Sequence, residues 1–173
     1  IILRRMRRYL KSRSETLLML YRLCTLLLSK NITVSTAESC TGGGISSRLV
    51  TYPGISEVFL GGIVAYSNQA KEQLLGVSAE VLDHYGAVSE ECAKAMACGA
   101  RKCTGSMVSV SSTGFAGPGG GSETALVGTV YIGVSAKQST YVRRFLFTGS
   151  RAEITGQAVE QAIRFLLETA EKY

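Results

Sequence analysis

The chain has a single histidine, His84, and that scarcity removes several chemistries at once. A histidine-rich metal cluster cannot be assembled, so no metal is expected: a hydrolytic metal centre would rest on scattered carboxylates. A Ser-His-Asp triad or a Cys-His pair would have to use His84 as its base, which makes both options fragile. The five cysteines, Cys24, Cys40, Cys92, Cys98 and Cys103, include no Cys-x-x-Cys pair. Their odd number and uneven spacing fit reduced core thiols rather than a disulfide framework or a structural zinc site. No apolar run reaches the ~20 residues that span a bilayer, and no signal-peptide cleavage pattern follows the basic start. A cytoplasmic protein without a membrane partner is the expectation. No Gly-Lys-Ser/Thr closes a phosphate loop, and no Gly-x-Gly-x-x-Gly stands in a βαβ unit with its acidic partner. A P-loop ATPase and a dinucleotide oxidoreductase are therefore disfavoured.

The net charge of +6 invites a nucleic-acid reading, and its distribution argues against one. Arg4, Arg5, Arg7, Arg8, Lys11 and Arg13 stand against Glu15 alone, a net of +5 within the first 15 residues. The rest of the chain is close to neutral. The charge thus belongs to an arm, residues 1–14, read as a solvated linker or helical leader, and no nucleic-acid partner is expected. The chain opens on Ile1 without a methionine, which suggests a fragment whose arm joined an upstream domain. With 46% hydrophobic residues, the remaining 15–173 suffices for one core and is too short for two ordinary domains.

Periodicity then lays out the elements. Leu17 to Leu28 has helical spacing with a broad apolar face, and Ile32–Thr36 alternates as a short strand. A helix from Gly44 to Val50 ends at Tyr52-Pro53-Gly54, Val58–Ser67 reads as a long strand, and Asn68–Leu75 returns to helix. Residues 84–88 read as a connection into a helix that starts at Ser89-Glu90-Glu91 and runs to Lys102. Met107–Ser112 is a buried strand, Val127–Ala136 and Thr140–Phe147 are paired strands, and a final helix runs to Glu171. Helices alternating with strands, then a hairpin, imply a mixed, mostly parallel sheet covered on both faces.

Glycines gather where strands end, at Gly42–Gly44, Gly61-Gly62 and Gly114–Gly121. Strand ends of an open α/β sheet are where ligands bind. The first cluster closes Thr36-Ala37-Glu38-Ser39-Cys40-Thr41-Gly42-Gly43-Gly44, a nucleophile-bearing turn between a strand and a helix. A helix that starts there offers unpaired N–H groups to phosphate or an oxyanion. The plainer alternative is a strand-to-helix turn with Thr41 as N-cap. With histidine scarce, the remaining route to a nucleophile is a serine served by a lysine. Tyr66-Ser67-Asn68-Gln69-Ala70-Lys71 supplies one, and Lys71 is either such a base, with its pKa lowered by burial, or an exposed helix residue.

Five ordered blocks carry a family resemblance: TAESCTGG at 36–43, FLGGIVAYSNQAK at 59–71, GAVSEE at 86–91, TGFAGPGGG at 113–121 and VGTVYIG at 127–133. Together they resemble the CinA C-terminal domain family, from about residue 15 to the C-terminus. That family includes the nicotinamide-nucleotide amidohydrolases, or NMN deamidases. The resemblance implies a three-layer α/β/α fold, frequent self-association and, often, fusion to an N-terminal nucleotide-processing domain. It implies a cofactor-free, metal-free reaction: hydrolysis of the carboxamide of nicotinamide mononucleotide to nicotinic acid mononucleotide and ammonia.

Carried onto this chain, the resemblance makes Ser39 the nucleophile and Lys71 its base. Tyr66 would orient Lys71 or hydrogen-bond the reacting oxygen. Backbone amides around Cys40–Gly43 would form the oxyanion hole, with Thr41, Gly42 and Gly43 at the substrate. Thr113 and the loop residues Gly114, Gly117, Gly119 and Gly120 would line the nucleotide pocket, and Arg151 would contact phosphate or the carboxamide side. Cys40 is read as a packed neighbour of the nucleophile, and Glu38 as positioning the turn or acting as an acid. Two departures stand against the pattern. Residues 122–126 lack the proline- and lysine-bearing stretch, and Thr155 replaces a second arginine. Both point to the alternative expectation, a non-catalytic nucleotide-binding or interaction domain of a CinA-like competence/damage-inducible protein.

Overall fold

The computed structural model describes residues 2–122, 125–137 and 139–173, with side chains from Ser14 onward. The side chains of the basic arm, and Glu123 and Thr124 of the altered loop, lie outside the described residues. The element order is α1 (Ile2–Ser29), β1 (Val34–Glu38), α2 (Gly44–Leu49), β2 (Phe59–Val64), α3 (Asn68–Leu75), α4 (Ala79–Tyr85), α5 (Glu90–Thr104), β3 (Val108–Gly114), β4 (Thr129–Ala136), β5 (Ser139–Leu146) and α6 (Arg151–Ala170). A single 3-10 turn, Ile55–Glu57, precedes β2. Among the described residues no helix is long and apolar enough to cross a membrane.

One five-stranded sheet runs in the order β2-β1-β3-β4-β5. The pairs β1–β2 and β1–β3 are parallel, and β3–β4 and β4–β5 antiparallel, so four of the five strands point the same way. One face is covered by α1, α2 and α6, whose Leu23, Leu27, Ile45, Leu49, Ile163 and Leu166 are buried against Val34, Val110 and Ile132. The other face is covered by α3, α4 and α5 through Leu75, Leu82, Cys92 and Met96. Each such fully buried aliphatic side chain contributes about 1.5–3 kcal/mol. The polar side of β3 is satisfied by α5 itself: Ser109 and Ser111 each donate to carbonyls of that helix, Ala97 and Ala93, at 2.6 Å.

The path of the chain around β1 places the site. After β1 the chain crosses one face through α2 to reach β2. After β2 it crosses the other face through α3, α4 and α5 to reach β3, on the opposite side of β1. The carboxyl end of β1 is thus the point where the crossovers part, and a crevice opens there. Gly62 lets α2 approach closely: a Cβ there would stand 2.2 Å from Ser46 Oγ and 2.4 Å from Thr36 Oγ1.

Three local expectations need correction. The first strand runs two residues later than the alternation suggests, because β1 is buried on both faces and pairs on both sides through Glu38. The strand expected over 58–67 ends at Val64. A further helix, α4, occupies part of the stretch before 84 for which no element is expected and takes in His84 and Tyr85 of the expected 84–88 connection; it is capped by Ser78, whose hydroxyl accepts from Val81 N. Of the cysteines, Cys24, Cys40 and Cys92 are core thiols, Cys98 is half-buried and Cys103 exposed, all free.

Candidate active site

Ser39 is the first residue beyond β1, and its backbone is locked on both sides: its N–H donates to Ser112 O at 2.9 Å, and its carbonyl accepts from Gly42 N at 3.0 Å. Lys71 reaches the same point from the first turns of α3, where Ser67 caps the helix by accepting from Ala70 N. The lysine is only 2% exposed. Its Nζ donates to Ser39 Oγ at 3.0 Å and to Ala65 O at 3.1 Å. Burial pushes its pKa below the ordinary lysine value, opposed more weakly by the thiols of Cys92 and Cys40. An ammonium with two neutral acceptors and almost no water is poorly solvated, which eases its conversion to the neutral amine. In that form Nζ keeps its donation to Ala65 O and turns its lone pair to the Ser39 hydroxyl. The geometry is that of a serine whose proton a lysine removes.

The turn after Ser39 is organised by a buried carboxylate. Glu38 is fully buried, and its two oxygens accept five hydrogen bonds. Thr41 Oγ1, Gly43 N and Ile45 N donate to Oε2 at 2.6, 3.0 and 2.9 Å. Ser46 N and Ser46 Oγ donate to Oε1 at 2.8 and 2.7 Å. Glu38 therefore caps α2 from inside the fold. Thr41 is not the N-cap; that position is Gly43, in the left-handed region at φ 97 with no side-chain cap of its own. Thr41 instead relays between Glu38 and Ser112, whose hydroxyl lies 2.6 Å away.

These bonds decide which amides remain. Gly42 N is bound to Ser39 O, Gly44 N to Thr41 O, and Gly43, Ile45 and Ser46 to Glu38. Among the described residues, the amides of Cys40 and Thr41 are the turn's two with no acceptor on another residue. Cys40 itself sits beside Ser39 as a neutral thiol: burial raises its pKa to about 11, opposed by a hydrogen bond with Ser112.

A cleft of about 220 Å³ opens over Ser39. It brings together Ser39, Lys71, Tyr66, Thr113, Gly114, Gly117, Gly119 and Arg151. Thr41, Gly42, Gly43 and Gly120 lie outside its lining. Among the described residues Tyr66 makes no hydrogen bond to Lys71. Its hydroxyl accepts from Arg151 Nη2, while Arg151 Nη1 donates to Gly117 O at 2.7 Å. Arg151 thereby ties α6, the glycine loop and the end of β2 together across the mouth. Thr113 spends its proton on Ala87 O, which fixes the 86–88 segment as a wall. Thr155 lies elsewhere, in a groove between α2 and α6 with Arg48 and Thr51, and its hydroxyl is bonded to Arg151 O and Ala152 O.

Sequence reasoning missed Asn68, Ala87 and Val88, and expected the 114–121 loop at the pocket without singling out Phe115 and Ala116; all five are in the cleft wall. Each falls inside a quoted block, which was the available signal. Ala65, inside the 59–71 block, was missed too, because it acts through a carbonyl that any residue type would supply. Among the described residues no three His, Cys, Asp or Glu side chains converge as metal ligands.

Comparison with known proteins places the chain in a family. Residues 19–170 match the model of the CinA C-terminal domain. The chain belongs to the CinA C-terminal domain family. It is 49% identical over 147 residues to a competence-damage inducible protein of Clostridium perfringens, covering 85% of this chain and 36% of that one. A namesake from Clostridium beijerinckii is 52% identical over 133 residues, covering 77% and 32%. The chain thus spans about a third of the length of these curated relatives. Among solved structures, a CinA superfamily protein of Klebsiella pneumoniae superposes with a TM-score of 0.87 at 31% identity, covering 91% of this chain and 99% of the other. The competence/damage inducible protein CihA of Agrobacterium tumefaciens gives 0.84 at 38% identity, covering 87% and 92%.

Proposed function

We propose that this CinA domain is a metal-independent amidohydrolase that converts the carboxamide of nicotinamide mononucleotide to the carboxylate, releasing ammonia. The observation that carries the reading is the buried Lys71 Nζ, 3.0 Å from Ser39 Oγ in a cleft at the carboxyl end of β1. Ser39 Oγ attacks the amide carbon as Lys71 takes its proton. The oxyanion forms beside the open amides of Cys40 and Thr41; one such donor is worth ~10²–10³ in rate. Lys71 then returns the proton to the departing nitrogen, so that ammonia leaves and Ser39 holds an ester. Water, deprotonated by the same lysine, cleaves that ester and regenerates Ser39. Arg151, fixed by Tyr66 and Gly117, supplies a positive charge at the mouth for the phosphate.

A lysine buried against a serine has no use in a domain that only binds, which is why hydrolysis is preferred to the non-catalytic alternative. The position of Thr155 also weakens that alternative, because the residue replacing the second arginine faces a different groove. The test is ammonia release from nicotinamide mononucleotide with a chelator present, run beside Ser39→Ala. Chelator-resistant turnover that vanishes in the variant is expected. A folded wild-type chain that binds the nucleotide without turnover would establish the binding-domain reading instead.

A further inference from the structure

One aromatic ring in the cleft wall is explained neither by the core nor by the acyl-transfer steps. Phe115 follows β3, lines the cleft next to Ala116 and is half-buried. It belongs to neither hydrophobic cluster, unlike Phe59, Phe145 and Phe147, which pack against the larger one. Its backbone is nevertheless fixed, with its N–H donating to Thr129 O at 2.9 Å and its carbonyl accepting from Gly128 N at 2.7 Å. The glycine loop closes over the ring: a Cβ at Gly120 would stand 3.2 Å from Phe115 Cδ1. A rigidly held, half-exposed benzyl ring gains its full burial only when a ligand covers it.

The charge of the cleft says what kind of ligand that is. Its lining carries the Arg151 guanidinium and the Lys71 amine, and no carboxylate. A ligand phosphate is matched there, but a quaternised, positively charged ring finds no anion. The favourable surface left for such a ring is an aromatic face. Of the two aromatic rings in the lining, Tyr66 is 59% exposed with its hydroxyl held by Arg151, whereas Phe115 is half-buried under the glycine loop, which favours Phe115.

We propose that Phe115 is the platform on which the substrate's pyridinium ring stacks, so that it selects quaternised pyridine carboxamides over neutral aromatic amides. This rests on the nicotinamide-nucleotide reading and deepens it. The chain has no tryptophan, so Phe115→Trp introduces a lone indole whose emission a stacked pyridinium quenches by charge transfer. In a Ser39→Ala background, nicotinamide mononucleotide is titrated in parallel by fluorescence and calorimetry, and a quench with the same midpoint as the heat is expected. Steady-state kinetics on the Ser39-containing chain supply the second arm. Phe115→Leu should raise KM for nicotinamide mononucleotide about tenfold with kcat little changed, Phe115→Tyr should restore it, and the reduced, uncharged dihydropyridine nucleotide should lose much less. Binding without quenching, or an unchanged KM in Phe115→Leu, overturns the platform and leaves the hydrolase reading standing. Quenching without wild-type ammonia release keeps the platform and overturns the hydrolase. Neither heat nor turnover with the wild-type chain overturns both.

Discussion

Glu38 and Lys71 are both buried ions beside Ser39, and the fold treats them in opposite ways. Glu38 is surrounded by five donors that hold its charge in place of water. Lys71 has two neutral acceptors, one of them the Ser39 hydroxyl. A saturated buried carboxylate is structural: it pins a turn whose amides would otherwise scatter. An under-solvated lysine is held close to losing its proton. Identical burial therefore yields a scaffold at one position and a reactive group at the other, and hydrogen-bond supply makes the difference.

The sharpest way to break that contrast is to remove each ion in turn. Lys71→Met should lower kcat by about 10³ or more, since general-base and leaving-group roles fall together. Its thermal midpoint should hold or rise, because an ill-solvated ammonium is replaced by an apolar chain of similar length. Ammonia release and a circular-dichroism melt measure the two effects. Glu38→Gln should do the reverse in stability, costing about 2–4 kcal/mol in urea unfolding, because an amide nitrogen would face N–H and O–H donors. A stable Glu38→Gln beside a destabilised Lys71→Met would invert the assignment.

The same contrast explains what was legible in the sequence. Ser39 and Lys71 could be found because their side chains lie in recognisable blocks at strand ends, and the alternation of helices and strands sufficed for the three layers. The partners that define their chemistry are less visible. Glu38 sits in the strand, seven and eight residues from two of its donors, and its acceptor role depends on how α2 folds back. Ala65 contributes only a carbonyl. Tyr66 and Arg151 meet across 85 residues, so no local pattern could pair them. α4 was hidden because a seven-residue helix carries too few apolar positions to show a period.

A pH series sharpens the contrast more gently. The folded chain releases the Lys71 proton below the ordinary lysine value of 10.5, where the unfolded chain still holds it. Between the lowered value and 10.5 the unfolded state binds more protons, so this lysine's penalty on stability is fully present at lower pH and disappears as pH rises through that window. Wild-type stability should therefore climb relative to Lys71→Met over that range. The kcat/KM profile should rise to a plateau through the same lowered pKa, since only the neutral amine accepts the Ser39 proton. Parallel stability curves for wild type and Lys71→Met would remove the claim that Lys71 is buried at a cost.

The smallest expected effect separates two roles for Tyr66. If its hydroxyl only seats Arg151, Tyr66→Phe removes one hydrogen bond to a guanidinium at a position 59% exposed, where water substitutes for much of it. KM for nicotinamide mononucleotide should then rise about fivefold, near 1 kcal/mol, with kcat and the pH profile unchanged. If the hydroxyl instead served Lys71, kcat would fall and the ascending limb would shift, because the lysine's environment would change. The structure favours the first outcome, since the second hydrogen bond of Lys71 goes to Ala65 O and the cleft mouth is held by Arg151 reaching both Tyr66 and Gly117. A kcat defect in Tyr66→Phe would mean that Lys71 is not as sparsely partnered as its two bonds imply, and the distinction between the two buried ions would narrow accordingly.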